Sequence, residues 1–380
     1  MQGFSPDRRR FTAAGGNYLI DAQRRRFFDA VSSIWTTIHG HSHPKIVEAI
    51  ARQAAVLDHA TLLGATHPLA EELAARLCDL LGMDFAFFAS DGASAVEAAI
   101  KMAIQFWQES GEPHRTRFVH LVDAYHGDTA GAMSLSGIQV FKSRFGAVSF
   151  ETIAYDSDPS ILRSDDVAAV MVEPIVQAAA GMRIVPAQRY SALIGISPLL
   201  IVDEIATGFG RTGTLFAHEQ LSLQPDIVCL GKGLSGGTLP LSATVVRSRI
   251  YDAFTGEPAE RKQFFHGHSY AGNPIACAAA LANIDLFASE GTLERVQALA
   301  RHIAPTLQAL GAHRRMLGIR QAGLMIGLEV DAPPQPLTDA LYDRGHFTRP
   351  IGNVIQLVPP LSSTAQELEG FVEDLRVALS

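Results

Sequence analysis

Five lysines occur in the 380 residues, and one of them, Lys232, stands between Gly231 and Gly233 directly after the apolar run Ile227–Leu230. An amine at the end of a buried strand, with no bulky neighbour, is placed where water is scarce. There its charged form is disfavoured and the neutral nitrogen becomes a nucleophile. The same string also suits a surface lysine in a glycine turn. A second arrangement is LLIVDEIATGFGR, Leu199–Arg211, in which Asp203 and Glu204 follow a fully apolar strand. A buried carboxylate needs a positive partner. Two partners are open: a metal ion, or the protonated nitrogen of a heteroaromatic ring, which the anion would keep protonated and electron-withdrawing. No cysteine or histidine cluster neighbours Asp203 in sequence, which favours the ring.

Four further segments place polar groups at strand ends. FAFFASDGASAVEAAIK, Phe85–Lys101, reads as a strand, a turn over Ser90–Ser94 and a helix. Such a junction offers backbone N–H groups and a helix N-terminus to an anion, although many α/β proteins contain one. Tyr125 in AYHGD follows the strand Phe118–Val122 and could cover a planar ring. Glu173 in VEPIVQ ends the strand Val167–Val172. HGHSYAGNP, His266–Pro274, is a compact polar loop before a helix. The alternating histidines His39, His41 and His43, and the pair His266 and His268, match no common zinc spacing. Structural or pocket-lining roles are expected for them, and no metal site.

These residues must be positioned by a sheet. Phe85–Ala89, Phe118–Val122, Val167–Val172, Leu199–Val202 and Ile227–Leu230 read as buried strands, with helical patterns such as Ser94–Gln108 between most of them. That alternation predicts an α/β fold with a mainly parallel central sheet covered by helices on both faces. Ligands of such sheets bind beyond the carboxyl ends of the strands, where the unusual residues fall. The chain ends differ. Asn17–Ile20 and Arg26–Ala30 read as a hairpin, and the last stretch reads as helix Leu293–Leu310, strand Gly323–Val330, helix Leu337–Arg344 and strand Val354–Val358. The expected organisation is a large domain over 39–286 and a smaller α+β domain formed by 1–38 and 287–380. Pro333, Pro334 and Pro336 predict a surface loop.

A hydrophobic content of 47% with 18% charged residues suits a globular chain with a sizeable core. The net charge of −8 argues against a nucleic-acid or anionic-membrane partner. The basic runs Arg8–Arg10 and Arg24–Arg26 are short and suit solvated faces. Three cysteines, Cys78, Cys229 and Cys277, sit among apolar residues without a paired spacing, so no disulfide framework is expected and a cytoplasmic location is. Neither a secretory signal nor a bilayer-spanning run is visible.

Together these segments resemble the class III aminotransferases of pyridoxal-5′-phosphate (PLP) fold type I, from about Asn17 to the end of the chain. DEIATGFGRTG (Asp203–Gly213) and LGKGLSGG (Leu230–Gly237) carry the resemblance most specifically. Within that class, IHGHSHP (Ile38–Pro44), AYHGDTAGAMS (Ala124–Ser134), VEPIVQAAAGM (Val172–Met182), HGHSYAGNPIACAAA (His266–Ala280) and RPIGNVIQLVPP (Arg349–Pro360) are similar to the biotin-pathway branch. Members of that branch aminate 8-amino-7-oxononanoate, usually from S-adenosylmethionine.

The resemblance implies a role for each matching position. Lys232 would hold the cofactor and move the proton, Asp203 would pair with the ring nitrogen, and Glu173 would support it. Tyr125 and Ile205 would cover the two ring faces, and Gly92 and Ala93 would offer N–H groups to the phosphate. His268 and Ser269 would reach the cofactor of a neighbouring subunit, which implies a homodimer with shared sites. Ile34, Trp35, Tyr125 and Gly267 would line the substrate path, and Arg349 would receive a substrate carboxylate. The partners are a small amino donor and a keto acceptor. The same cofactor residues also serve aminomutases and decarboxylases.

Departures from the pattern touch the substrate side. Ile34 replaces the first of two tryptophans, Ala93 replaces a serine, and the stretch Ser136–Phe150 is short. The chain is also expected to lack an aromatic segment ahead of its first strand. A trimmed substrate pocket, poorer for a bulky adenosyl donor, is therefore expected.

Overall fold

The structure is a computed structural model and describes residues 9–156, 158–331 and 333–380; Arg8 of the first basic run lies outside them. Its centre is a seven-stranded sheet in the order Phe85–Ala89, Ser242–Val246, Ile227–Leu230, Leu199–Asp203, Val167–Val172, Arg117–Leu121 and Thr152–Tyr155. The last five strands run parallel to one another, and Ser242–Val246 runs antiparallel to both its neighbours. The sheet is thus mainly parallel, as expected. Val167–Val172, Leu199–Asp203, Ile227–Leu230 and Ser242–Val246 are buried throughout, which is why they read as unbroken apolar runs.

The helix Gly92–Glu109 shows how sequence sets an element here. Asp91 caps its start by accepting the Ser94 N–H at 3.0 Å. Alanines at 95, 98, 99 and 103 are fully buried and let the helix approach the sheet closely. The Thr244 hydroxyl donates to the Ala95 carbonyl at 2.8 Å across that contact. The helix Pro274–Ser289, equally rich in alanine, buries most of its circumference on the other side, with Cys277, Ala280 and Ile284 in the same core as Leu230 and Leu234.

Two smaller sheets come from the chain ends. Phe11–Gly15, Tyr18–Asp21 and Arg26–Asp29 form an antiparallel set, joined in parallel by His346–Phe347. Met316–Ala322, Met325–Val330, Val354–Leu357 and Pro350–Ile351 form the other. The Val358 N–H donates to the Ala30 carbonyl at 2.7 Å, and Ala30 donates to Phe347 at 2.9 Å, so the first and last segments are stitched together.

One expectation is corrected, and two features were not anticipated. The prolines near 334 do not mark a loop: Pro334 opens the helix Pro334–Asp343, because proline fits a first helical turn whose N–H groups lack partners anyway. Met316–Ala322 is a strand that the sequence reading left out, with a mixed and mostly half-buried pattern. Ser32–Trp35 is a single left-handed turn, with φ of 47°, 47°, 68° and 65° at four successive non-glycine residues.

Candidate active site

A cavity of about 470 Å³ opens at the carboxyl ends of the parallel strands. Trp35, Gly92, Ala93, Tyr125, Glu173, Asp203, Ile205 and Lys232 all line it. Eight positions singled out in the sequence are therefore brought to one place. Asp203 ends its strand in parallel register beside Cys229 and next to the strand that ends before Glu173, so the ladder alone puts the two acids side by side. Lys232 follows one strand over and has φ 40°, a left-handed conformation that turns the chain back at the strand end. Burial lowers the pKa of its amine; the charges of Asp203 and Glu173 oppose that shift without cancelling it.

Asp203 is held on both oxygens. Oδ1 accepts the Ile205 N–H at 3.0 Å, and Oδ2 meets His126 Nδ1 at 2.7 Å. Two lone-pair positions remain for a further donor. His126 is buried, and its Nε2 has no partner. Glu173 accepts the Tyr125 N–H at 3.0 Å, while Tyr190 donates its hydroxyl to the Glu173 backbone carbonyl at 2.7 Å. Burial, reinforced by the neighbouring Asp203, pushes the Glu173 carboxyl up to about 7.

At the opposite end, Asp91 uses both its oxygens on Ser94. The N–H groups of Gly92 and Ala93, in the first turn of an 18-residue helix, have no intrahelical acceptor. A methyl group at position 92 would lie 2.8 Å from Ile205 Cγ2, so only glycine lets the turn pass over that side chain. One at position 127 would lie 2.6 Å from the Ala93 Cβ. The result is a slot with a carboxylate at one end, unpaired backbone donors at the other, Ile205 on one wall and Tyr125 on another. Its shape and donor set fit a flat, phosphorylated pyridine aldehyde, with Lys232 as the amine that would hold it.

The mouth is built differently. The Trp35 ring lies 5.2 Å from Lys232 Nζ, and its indole N–H donates to Gln356 Oε1 at 2.7 Å. A left-handed turn costs roughly 1–2 kcal/mol per residue, so Ser32–Trp35 must be held. Asp29 accepts the Ser33 N–H at 3.0 Å and the Ser33 hydroxyl at 2.8 Å. Arg211, only 1% exposed, donates to the carbonyls of Pro359 at 2.6 Å and Thr37 at 2.8 Å, and to the Ser32 hydroxyl at 3.3 Å. Phe141, from the short 139–142 helix, packs on Tyr125 with ring centroids 5.0 Å apart.

Other sequence candidates are not brought to the cavity within one chain. Ile34, next to Trp35 in the chain, is 45% exposed and outside the lining. Arg349 is exposed, and Gly267, His268 and Ser269 lie on a loop outside the lining. The alternating histidines have separate partners: His39 bonds the Asn283 carbonyl, His41 meets Asp29 and His43 meets Glu290. Sequence reasoning missed His126, Arg211 and Gln356 as site residues. The first two stand inside the quoted words AYHGD and DEIATGFGR, where position in a motif was the available signal. Gln356 stands inside the quoted word RPIGNVIQLVPP, with the added signal of a polar residue in an apolar strand.

Comparison with known proteins agrees with this geometry. The class-III aminotransferase family profile matches residues 5–379. An adenosylmethionine-8-amino-7-oxononanoate aminotransferase from Nitratidesulfovibrio vulgaris is 40% identical over 97% of this chain and 76% of its own. The crystal structure of the enzyme of that name from Methanocaldococcus jannaschii superposes with a TM-score of 0.94 at 36% identity, covering 98% of this chain and 93% of its own. A PLP-bound amine transaminase from an uncultivated Pseudomonas species gives 0.94 at 31% identity, covering 100% and 97%.

Proposed function

Since the chain belongs to the class III aminotransferases and is a PLP-dependent transaminase, we propose that it aminates 8-amino-7-oxononanoate to 7,8-diaminononanoate, the biotin-pathway reaction. The observation that carries the acceptor is the name of the N. vulgaris relative, 40% identical over 97% of the chain.

PLP, when bound, supplies an electron sink for the bond broken at the substrate carbon. The chain supplies the rest. Lys232 would hold the cofactor through Nζ and would move the proton at the reacting carbon, a task suited to an amine whose pKa burial has lowered. Asp203 would keep the ring nitrogen protonated, and Glu173, whose carboxyl burial pushes up to about 7, would stand beside it in support. Gly92 and Ala93 would receive the phosphate at the helix N-terminus. Tyr125 and Ile205 would cover the ring, and Trp35 closes the wall against Lys232 and would exclude water.

Arg349 receives the acceptor's carboxylate. Its guanidinium is exposed and outside every ion pair among the described residues, so it is free to form a bidentate contact. His268 and Ser269 act in the neighbouring subunit's site, with Gly267 along its substrate path. What supports a homodimer is the apolar exposure around that loop: Phe265 is 69% exposed, Tyr270 68% and Leu63 65%. The large unit spans 39–286 and the small one 1–38 with 287–380. We place the enzyme in the cytoplasm on its three buried free cysteines; no described helix is long and apolar enough to cross a membrane.

A second reading, an aminotransferase for another long amine or ketone, is favoured by one observation: Ile34, next to the lining residue Trp35, is an exposed aliphatic side chain. It makes a poorer wall for a flat adenosyl donor. A donor and acceptor screen decides between them. The expected result is 7,8-diaminononanoate, with Arg349→Ala raising KM for the acceptor about 10-fold or more while a donor without a distal carboxylate is unaffected. Amination of other ketones with none of 8-amino-7-oxononanoate would overturn the acceptor and leave the transaminase standing.

A further inference from the structure

The cavity wall facing Lys232 is held by a side chain that core packing alone does not call for. Gln356 lies on the strand Val354–Leu357, between the buried Ile355 and Leu357, and is itself fully buried. Both ends of its amide are used. Oε1 accepts the Trp35 indole N–H at 2.7 Å, and Nε2 donates to the Arg349 carbonyl at 3.0 Å. Its backbone carbonyl accepts the Thr348 hydroxyl at 2.6 Å, which fixes the same turn a second time. The amide can point only one way, because reversal would face its NH2 group with the indole N–H and its oxygen with a carbonyl. A leucine or methionine would fill the space without the desolvation cost of a buried amide.

We propose that Gln356 is a positioning residue for substrate recognition: it fixes the Trp35 wall and the Arg349 turn at one separation, so that the reacting end and the distal carboxylate of a single substrate are gauged together. This rests on the reading that Trp35 and Arg349 face the substrate. The turn that carries Trp35 is left-handed at four successive residues, so an indole freed from Gln356 has a strained backbone to relax. Its face then leaves the 5.2 Å approach to Lys232.

The chain has two tryptophans, and Trp107, buried on the helix Gly92–Glu109 with its N–H on the Ala168 carbonyl, lies outside the cavity lining. Trp107→Phe therefore leaves Trp35 as the sole indole reporter in the holoenzyme. In that background Gln356→Met is expected to raise acrylamide quenching of Trp35 about twofold. It should also raise KM for 8-amino-7-oxononanoate roughly five- to tenfold, with kcat within about twofold. A role confined to stability would lower the melting temperature and move neither. Added to Trp35→Phe, which has already lost the N–H, Gln356→Met should cost clearly less than it does alone. Gln356→Asn, an amide one methylene shorter, gives the same readouts should Gln356→Met not accumulate as folded protein. Unchanged quenching and KM in either variant, or strict additivity with Trp35→Phe, would overturn the proposal. Failure of the underlying reading looks different: Trp35→Phe and Arg349→Ala would themselves leave KM unchanged, and the proposal falls with it.

Discussion

At the Asp203 end of the cavity, each key residue sits within four positions of the end of a strand in one sheet. At the Trp35 end, the wall is a strained turn tied to residues 179 to 326 positions away, through Arg211, Gln356 and Val358. The first region is positioned by backbone ladders that any sequence with this register would form. The second depends on individual side-chain hydrogen bonds. Chemistry shared across a family belongs in the first kind of place, and discrimination between substrates can be varied in the second without disturbing it.

That division predicts different kinds of damage. Lys232→Ala should remove turnover altogether, and borohydride should no longer fix the cofactor to the protein, since no other lysine lines the cavity. Residual borohydride fixation would mean that another amine serves and that the ladder-built end is misread. Asp203→Asn should fold and bind some cofactor yet lose on the order of 10²–10³ in kcat, through loss of the anion opposite the ring nitrogen. Near-normal kcat would assign the ring nitrogen to another group.

Glu173 sharpens the comparison through pH. Its folded-state pKa, about 7, lies above the ordinary 4.5. The folded protein therefore binds the extra proton between these values, and stability declines as pH rises from about 4.5 through about 7. The contribution is on the order of 3 kcal/mol, and Glu173→Gln, which cannot ionise, should flatten that part of the cofactor-free protein's stability curve. A curve of unchanged slope would show that Glu173 is charged throughout. The smallest effect belongs to the mouth. Ile34 is a β-branched residue at φ 68°, and Ile34→Asn should raise stability by roughly 0.5–1 kcal/mol, since asparagine tolerates the left-handed region. In chemical denaturation the midpoint should rise with an unchanged slope; a fall would mean that the Ile34 side chain contributes packing that outweighs the strain.

Local sequence determined the ladder-built end. Apolar runs bounded by Asp203, Glu173, Tyr125 and Lys232 gave the strands and the residues at their ends, because fully buried parallel strands leave a continuous hydrophobic signature and their carboxyl ends are where polar groups can gather. The turn over Ser90–Ser94 was legible for a similarly local reason, although the helix begins at Gly92 and not at the expected Ser94, because Asp91 caps it there. Tertiary structure alone decided the rest. No local pattern announces that Ser32–Trp35 turns left-handed: Ser32, Ser33 and Ile34 have no intrinsic preference for it, and the cost is offset by the neighbouring Asp29 only together with Arg211 and Gln356, which arrive from elsewhere in the fold. The same holds for His126 on Asp203 and for the exposed place of Arg349. Hydrogen bonds between residues far apart in sequence carry no periodicity, so they become visible only once the chain is folded.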